Sequence, residues 1–497
     1  MATTHFLKAA ALGLLFSLLA GPGWGQSSEY TPRFIEKRKG PINIPRGQKY
    51  RFGYLEVPEN RQVPDSKTIR LPVYIFKSRS ATPAPDPVIY TVGGPGSTTM
   101  PSAAYMNYYQ YLDDRDVIMF EQRGTAYAQP HLGCPEWAEA IYQSQLPGIG
   151  EAEANRLREQ AAKACRDRLL AEGIDLNGYH TREIAADIED LRRLLELDQI
   201  NLLTISYSTK IAQVLLRDYP EHIRSVVMDS ALPLEVSYDE ESVANALATT
   251  RELLSDCAQD AACGAAYPDL GNRFFTYLEE ITRQPLEVQV THPEEGTLET
   301  FSVQGQDIFN MVISAGTEQV PDVPWEIEKL LQGDLSTVKQ QLASRLSGPG
   351  YADGVGMRLS VWCAEEFPFA DSAVMARETR AYPSVTGLSP EVYSASVCAI
   401  WGVAPMADLE NEPVSSTVPV LFINGQYDEA TPSLWAQTMQ VRFPNSFHLV
   451  FPGWKHTPTT YWSNPCGMAV ANAFFNDPTQ RPALYCFQEL EVSFTQP

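Results

Sequence analysis

Residues 200–220 read INLLTISYSTKIAQVLLRDYP, an apolar run that passes without a break into a segment of helical spacing. The run from Ile200 to Ile205 is uncharged and reads as a strand buried on both faces. From about Thr209, the apolar residues Ile211, Val214 and Leu215 fall on one helix face, and Pro220 stops the pattern. Ser206 therefore lies at a sharp strand-to-helix junction. A side chain there is lifted clear of the sheet, and the backbone N–H of the next residue, Tyr207, can face a developing oxyanion. The usual form of such a junction is G-x-S-x-G, because strand and helix pass close together. Here it reads Thr204-Ile205-Ser206-Tyr207-Ser208, with both glycines replaced.

More short apolar runs flank this junction: VIYTVGG (88–94), DVIMFEQRG (116–124), IRSVVMDS (223–230), VPVLFING (418–425) and SFHLVFPG (446–453). Between them lie helical segments such as Thr181–Leu197, with Ile184, Ile188, Leu191, Leu194 and Leu195 on one face and Thr181 as the expected N-cap. Buried strands alternating with amphipathic helices predict an α/β fold, a mainly parallel sheet with helices on both faces. Before it, YRFGYLEVPEN (50–60) and TIRLPVYIFKS (68–78) alternate apolar and polar residues like an antiparallel pair. The strand-helix rhythm fails between residues 234 and 415, which predicts an inserted, mostly helical cap. The core is then split into 26–233 and 416–497.

The ends of the predicted strands carry the chemistry. Gly93-Gly94-Pro95-Gly96 follows the first buried run, and Gly94, or alternatively Gly93, is placed to offer a second oxyanion N–H beside that of Tyr207. Asp428 follows VPVLFING and His456 follows SFHLVFPG, which gives the order Ser, Asp, His and the C-terminal sheet edge that the α/β-hydrolase fold uses. Ser206 is read as nucleophile, Asp428 as acid and His456 as base. Asp229 also ends a strand and competes for the acid role, whereas His448 lies inside a strand and reads as a packed histidine. No cofactor or metal is expected, because a serine activated by a histidine needs neither.

The first residues, MATTHFLKAAALGLLFSLLAGPGWGQ, hold Lys8, an apolar run from Ala9 to Ala20 and small residues at Gly23 and Gly25, the pattern of a secretory leader cleaved after Gly25. Formal net charge is −23, which disfavours nucleic acid or an anionic lipid surface as a partner, and no later segment predicts stable membrane insertion. Eight cysteines, Cys134, Cys165, Cys257, Cys263, Cys363, Cys398, Cys466 and Cys486, in an exported chain imply disulfides. Sequential pairing is the expectation. No CxxC occurs and the seven histidines lie away from the cysteines, which argues against zinc.

Taken in order, GGPG (93–96), EQRGTA (121–126) followed by Cys134, then Tyr179, Thr181 and Asp187, SYST (206–209), NGQYDEATP (424–432) and PGWKH (452–456) resemble the exported tripeptidyl-aminopeptidase and prolyl-aminopeptidase-like α/β-hydrolases. The resemblance spans most of the chain after the leader. The departures are Glu121 for Asp, Ala126 for Gly, and Thr204 and Ser208 for the junction glycines. The resemblance implies an exported serine peptidase that cuts short peptides or amino acids from free N-termini through an acyl-enzyme. It also implies an acidic residue after Cys363 to pair with the terminal ammonium, here Glu365 and Glu366. The same three side chains would serve a carboxylesterase acting on small acyl esters, and a binding protein with an impaired junction would keep the same fold.

Overall fold

The computed structural model describes residues 31–385 and 394–497; the expected leader, 1–25, lies outside them. In chain order, the strands are β1 (Arg33–Lys37), β2 (Tyr50–Pro58), β3 (Thr68–Phe76), β4 (Ala84–Thr91), β5 (Arg115–Phe120), β6 (Ile200–Ile205), β7 (Ile223–Asp229), β8 (Leu286–Thr291), β9 (Leu298–Val303), β10 (Val420–Gly425) and β11 (Ser446–Phe451). Nine of them form one sheet in the order β1-β2-β3-β5-β4-β6-β7-β10-β11. The β1-β2-β3-β5 pairings are antiparallel, and every pairing from β5 through β4, β6, β7 and β10 to β11 is parallel.

All six residues of β6 are buried, as the uncharged run predicts for a strand covered on both sides. Leu203 and Ile205 join a core cluster with Val227, Leu421 and Phe474, the last on the helix Cys466–Asn476. By strand alternation Leu202 faces the other way. The helix Ser208–Asp218 packs on β6 and β7, and the helix Thr181–Leu194 packs on that helix in turn.

The six short apolar runs all become strands of this sheet, and residues 50–60 and 68–78 supply the antiparallel pair β2 and β3. Between β7 and β10 the described residues are mainly helical, but they also hold the β8–β9 hairpin, which the helix-rich composition of that stretch hid. One cap differs from expectation. The helix at 181 is capped by His180, whose ring nitrogen accepts from Glu183 N, and Thr181 is its first helical residue. The Thr181 hydroxyl is spent elsewhere, on Glu365 and Tyr207.

Four disulfides join Cys134 to Cys165, Cys257 to Cys263, Cys363 to Cys398 and Cys466 to Cys486, the sequential pattern. The first is fully buried and clips the helix Pro135–Ser144 to the helix Glu151–Ala171 across a separation of 31 residues. Loop closure on this scale restrains the unfolded chain, so Cys134→Ala/Cys165→Ala is expected to lose roughly 3 kcal/mol in denaturant unfolding. Among the described residues no helix is long and apolar enough to cross a membrane.

Candidate active site

Ser206 leaves β6 with φ of 56°, the left-handed region that costs energy for any residue carrying a Cβ and persists only where its surroundings fix it. Its N–H donates to Asp229 O at the end of β7 (2.8 Å), and its carbonyl accepts from Thr209 N (2.9 Å) to open the helix Ser208–Asp218. The two replaced glycines are accommodated by hydrogen bonds. Ser208 is fully buried; its Oγ accepts from Ile205 N (2.7 Å) and donates to Thr91 O of β4 (2.9 Å). Thr204 Oγ1 donates to Val227 O of β7 (3.1 Å). Each added side chain thus ties the junction to a neighbouring strand.

Asp428 and His456 come together past the ends of β10 and β11. His456 Nδ1 lies 2.9 Å from both oxygens of the fully buried Asp428 carboxylate. Asp428 also accepts from Ala430 N (3.1 Å), Thr431 N (2.9 Å) and Thr431 Oγ1 (3.0 Å). Burial works against the charge of Asp428, but His456 and these donors outweigh it and hold the carboxyl below its usual range. The opposite balance acts on His456. Burial disfavours its imidazolium, but Asp428, then Asp229 and Glu429, raise its affinity for a proton. Asp229, the competing acid, turns its Oδ2 to Thr459 N (2.8 Å) and Thr459 Oγ1 instead of to the ring. His448 remains a strand residue bonded through Nε2 to Asn424 Oδ1 (3.1 Å), with burial lowering its pKa to about 4.

The GGPG loop passes against the junction. A Cβ on Gly93 would stand 2.6 Å from Ile205 O, 2.8 Å from Ser206 Cβ and 3.0 Å from Tyr207 N, so only glycine lets the chain approach the serine this closely. Gly94 follows at φ of 117°, with its carbonyl accepting from Arg358 Nη1 (3.2 Å). Sequence reasoning missed what anchors this loop. Buried Glu121 accepts from Thr98 Oγ1 (2.7 Å), Thr99 N (2.8 Å) and Met100 N (3.2 Å), and also from Thr125 Oγ1 (2.8 Å) and Tyr127 N (3.2 Å). The EQRGTA motif was the available signal. A hydroxyl side chain in the ATP of NGQYDEATP likewise pointed to Thr431.

A model described as alpha/beta hydrolase fold matches residues 86–263, and one described as TAP-like protein matches residues 386–486. The serine protease Hip1 of Mycobacterium tuberculosis is 22% identical over 470 residues, covering 88% of this chain and 87% of that protein. The tripeptidyl aminopeptidase of Streptomyces coelicolor is 27% identical over 194 residues, or 36% of this chain and 35% of its own. A carboxylesterase B of Mycobacterium tuberculosis is 24% identical over 420 residues, or 78% and 77%. The chain is a serine hydrolase of the α/β-hydrolase family.

Two acidic residues of the hydrolase lie under its junction. Glu365 and Glu366 are each 5% exposed, so neither is a solvated surface group. Glu365 Oε1 accepts from Thr181 N (2.6 Å) and Oε2 from Thr181 Oγ1, which in turn meets the Tyr207 hydroxyl at 2.7 Å. Glu366 pairs with the buried Lys210 ammonium. Burial pushes the Glu365 carboxyl up to about 7, against the Thr181 hydrogen bonds and the Lys210 charge.

A raised carboxyl pKa means the folded protein keeps a proton that the unfolded chain has already released above its ordinary pKa. Stability from Glu365 is therefore fully present at low pH and is lost as pH rises toward 7. Glu365→Gln keeps an acceptor for Thr181 N and offers a donor to Thr181 Oγ1, with no charge to bury. Relative to the parent, the variant is expected to be more stable at pH 8 than at pH 5 by on the order of 2 kcal/mol, measured by urea titration at both pH values.

Proposed function

We propose that this hydrolase is an exported aminopeptidase that releases short peptides or amino acids from free peptide N-termini through an acyl-enzyme on Ser206. His456, held at Nδ1 by Asp428, keeps Nε2 free to take the serine proton as the hydroxyl attacks the scissile carbonyl. Asp428 stabilises the imidazolium that forms. The N–H groups of Tyr207 and Gly94, or of Gly93, receive the oxyanion, each contributing about 3 kcal/mol in such sites. The imidazolium then protonates the leaving amine, and water repeats the sequence on the ester.

The observation that carries the peptidase reading is Asp239. Its Oδ2 accepts from Trp362 Nε1 (2.8 Å), while its Oδ1 is buried with no hydrogen-bond partner among the described residues. Burial pushes its pKa up to about 6 against the Trp362 bond, which leaves it mostly ionised at neutral pH. The adjacent Tyr238 meets the rings of Trp362 (5.5 Å) and Trp435 (6.2 Å) and lies within electrostatic reach of Arg358 and Asp428. An arriving ammonium would supply the donor that Oδ1 lacks. Glu365 and Glu366, expected in this role, are already engaged by Thr181 and Lys210, so the role passes to Asp239. Residues 234–415, which carry Asp239 and Trp362, act in this reading as a cap over the sheet. The leader and four disulfides support export to an oxidising compartment.

Free and N-acetylated aminoacyl, dipeptidyl and tripeptidyl amides test the reading. Free amides are expected to be preferred, and Asp239→Asn to raise their KM roughly 10-fold or more while p-nitrophenyl ester turnover changes little. Equal turnover of acetylated and free amides, with esters faster than both, contradicts it and favours the carboxylesterase reading that the carboxylesterase B relative supports.

A further inference from the structure

Three residues that are not glycine adopt left-handed backbone around this site: Ser206 (φ 56°), Ser230 (φ 60°) and Thr457 (φ 64°). Strain of this kind persists only where hydrogen bonds fix the chain, and here the bonds run through the fully buried Asp229-Ser230 dipeptide at the end of β7. The carbonyl of Asp229 accepts from Ser206 N (2.8 Å). Ser230 N donates to Ile423 O (2.7 Å) of β10, the strand that leads to Asp428. Ser230 Oγ accepts from Thr457 N (2.8 Å), the amide that follows His456. The same hydroxyl donates to Asp229 Oδ1 (3.4 Å) and lies close enough to the Asp428 carboxylate to favour its charge. Asp229 Oδ2 holds Thr459 N (2.8 Å).

We propose that Ser230 is a positioning residue of the hydrolase, one hydroxyl that ties the amide of Thr457 to the end of β7, beside the Asp428 carboxylate, and so sets the angle at which His456 meets Ser206. The inference rests on the serine-hydrolase reading above. A glycine at 230 would suit the left-handed backbone better than serine does, so the serine carries a conformational cost that its side-chain contacts with Thr457 N and Asp229 Oδ1 offset. Without the hydroxyl, Thr457 N–H is left without its acceptor, and the loop can relax out of its left-handed turn and carry the imidazole with it. Misplacement by about 1 Å at such a centre is enough to slow chemistry roughly 100-fold.

Stability and rate are expected to part company. Ser230→Gly loses a hydrogen bond but sheds the strain, so its melting temperature should stay within about 3 °C of the parent, whereas kcat falls roughly 10- to 100-fold with KM changed less than about twofold. Phosphonylation of Ser206 by a fluorophosphonate, which also needs the imidazole, should slow by a similar factor. Ser230→Ala, which keeps the Cβ and removes only the hydroxyl, should show the same kcat loss and decides the matter where the glycine variant does not fold. Folded Ser230→Gly or Ser230→Ala protein with parental kcat overturns the proposal while leaving the nucleophile assignment intact. A Ser206→Ala control that keeps its activity overturns both.

Discussion

Replacing Ser206 by alanine is expected to lower kcat on a free tripeptidyl or aminoacyl amide by at least about 10⁴-fold, with the melting temperature nearly unchanged. The bonds that shape the junction do not use the serine side chain. Ser206 N donates to Asp229 O, and Thr209 N and Thr209 Oγ1 donate to Ser206 O. Alanine keeps all of these and loses only the oxygen that, in the proposed mechanism, forms the acyl-enzyme. On the proposed mechanism, the residual rate reports what Tyr207, the GGPG loop and substrate binding achieve without a covalent step. Steady-state kinetics beside a thermal melt check both halves of the expectation.

Asp428→Asn is expected to cost roughly 10⁴-fold in kcat for a different reason, the tautomer of His456. The Asp428 side chain has four donors around it: Ala430 N, Thr431 N, Thr431 Oγ1 and His456 Nδ1. An asparagine has one acceptor oxygen, and the two backbone N–H groups, which cannot turn away, claim it. Its NH₂ then faces Nδ1 and forces that nitrogen to accept, which places the ring proton on Nε2, where the base must be vacant. The same substitution removes the charge that most favours the imidazolium, so the residual activity should have its acidic limb at lower pH than the parent. A pH profile of kcat/KM for both proteins checks the shift.

The sheet and the ends of its strands were legible because their signals are local. A short uncharged run bounded by turn residues and followed by a helical pattern reads as a strand of a covered sheet, and Asp428 and His456 each follow a short apolar strand within a few residues. The partners of the buried carboxylates were not legible, because they are fixed by contacts between distant segments. Thr181 reads as an N-cap from its neighbours, yet its hydroxyl is claimed by Glu365, 184 positions away. Glu365 and Glu366 read as open charges for the same reason, and the donors that occupy them, Thr181 and Lys210, lie in other elements. The junction glycines illustrate the converse. Their loss read as a weakened match, whereas Ser208 and Thr204 each bond to a neighbouring strand, β4 and β7, that no local pattern brings into view.

The central claim is that a hydroxyl at the end of β6 is activated by an imidazole held past the end of β11. Peptide mass mapping after reaction of the folded protein with a fluorophosphonate tests it most directly. The expected result is a single adduct on the peptide containing Ser206, absent in Ser206→Ala and formed far more slowly in Asp428→Asn. Folded parent protein that stays unmodified, or that carries the adduct on another residue, contradicts the account.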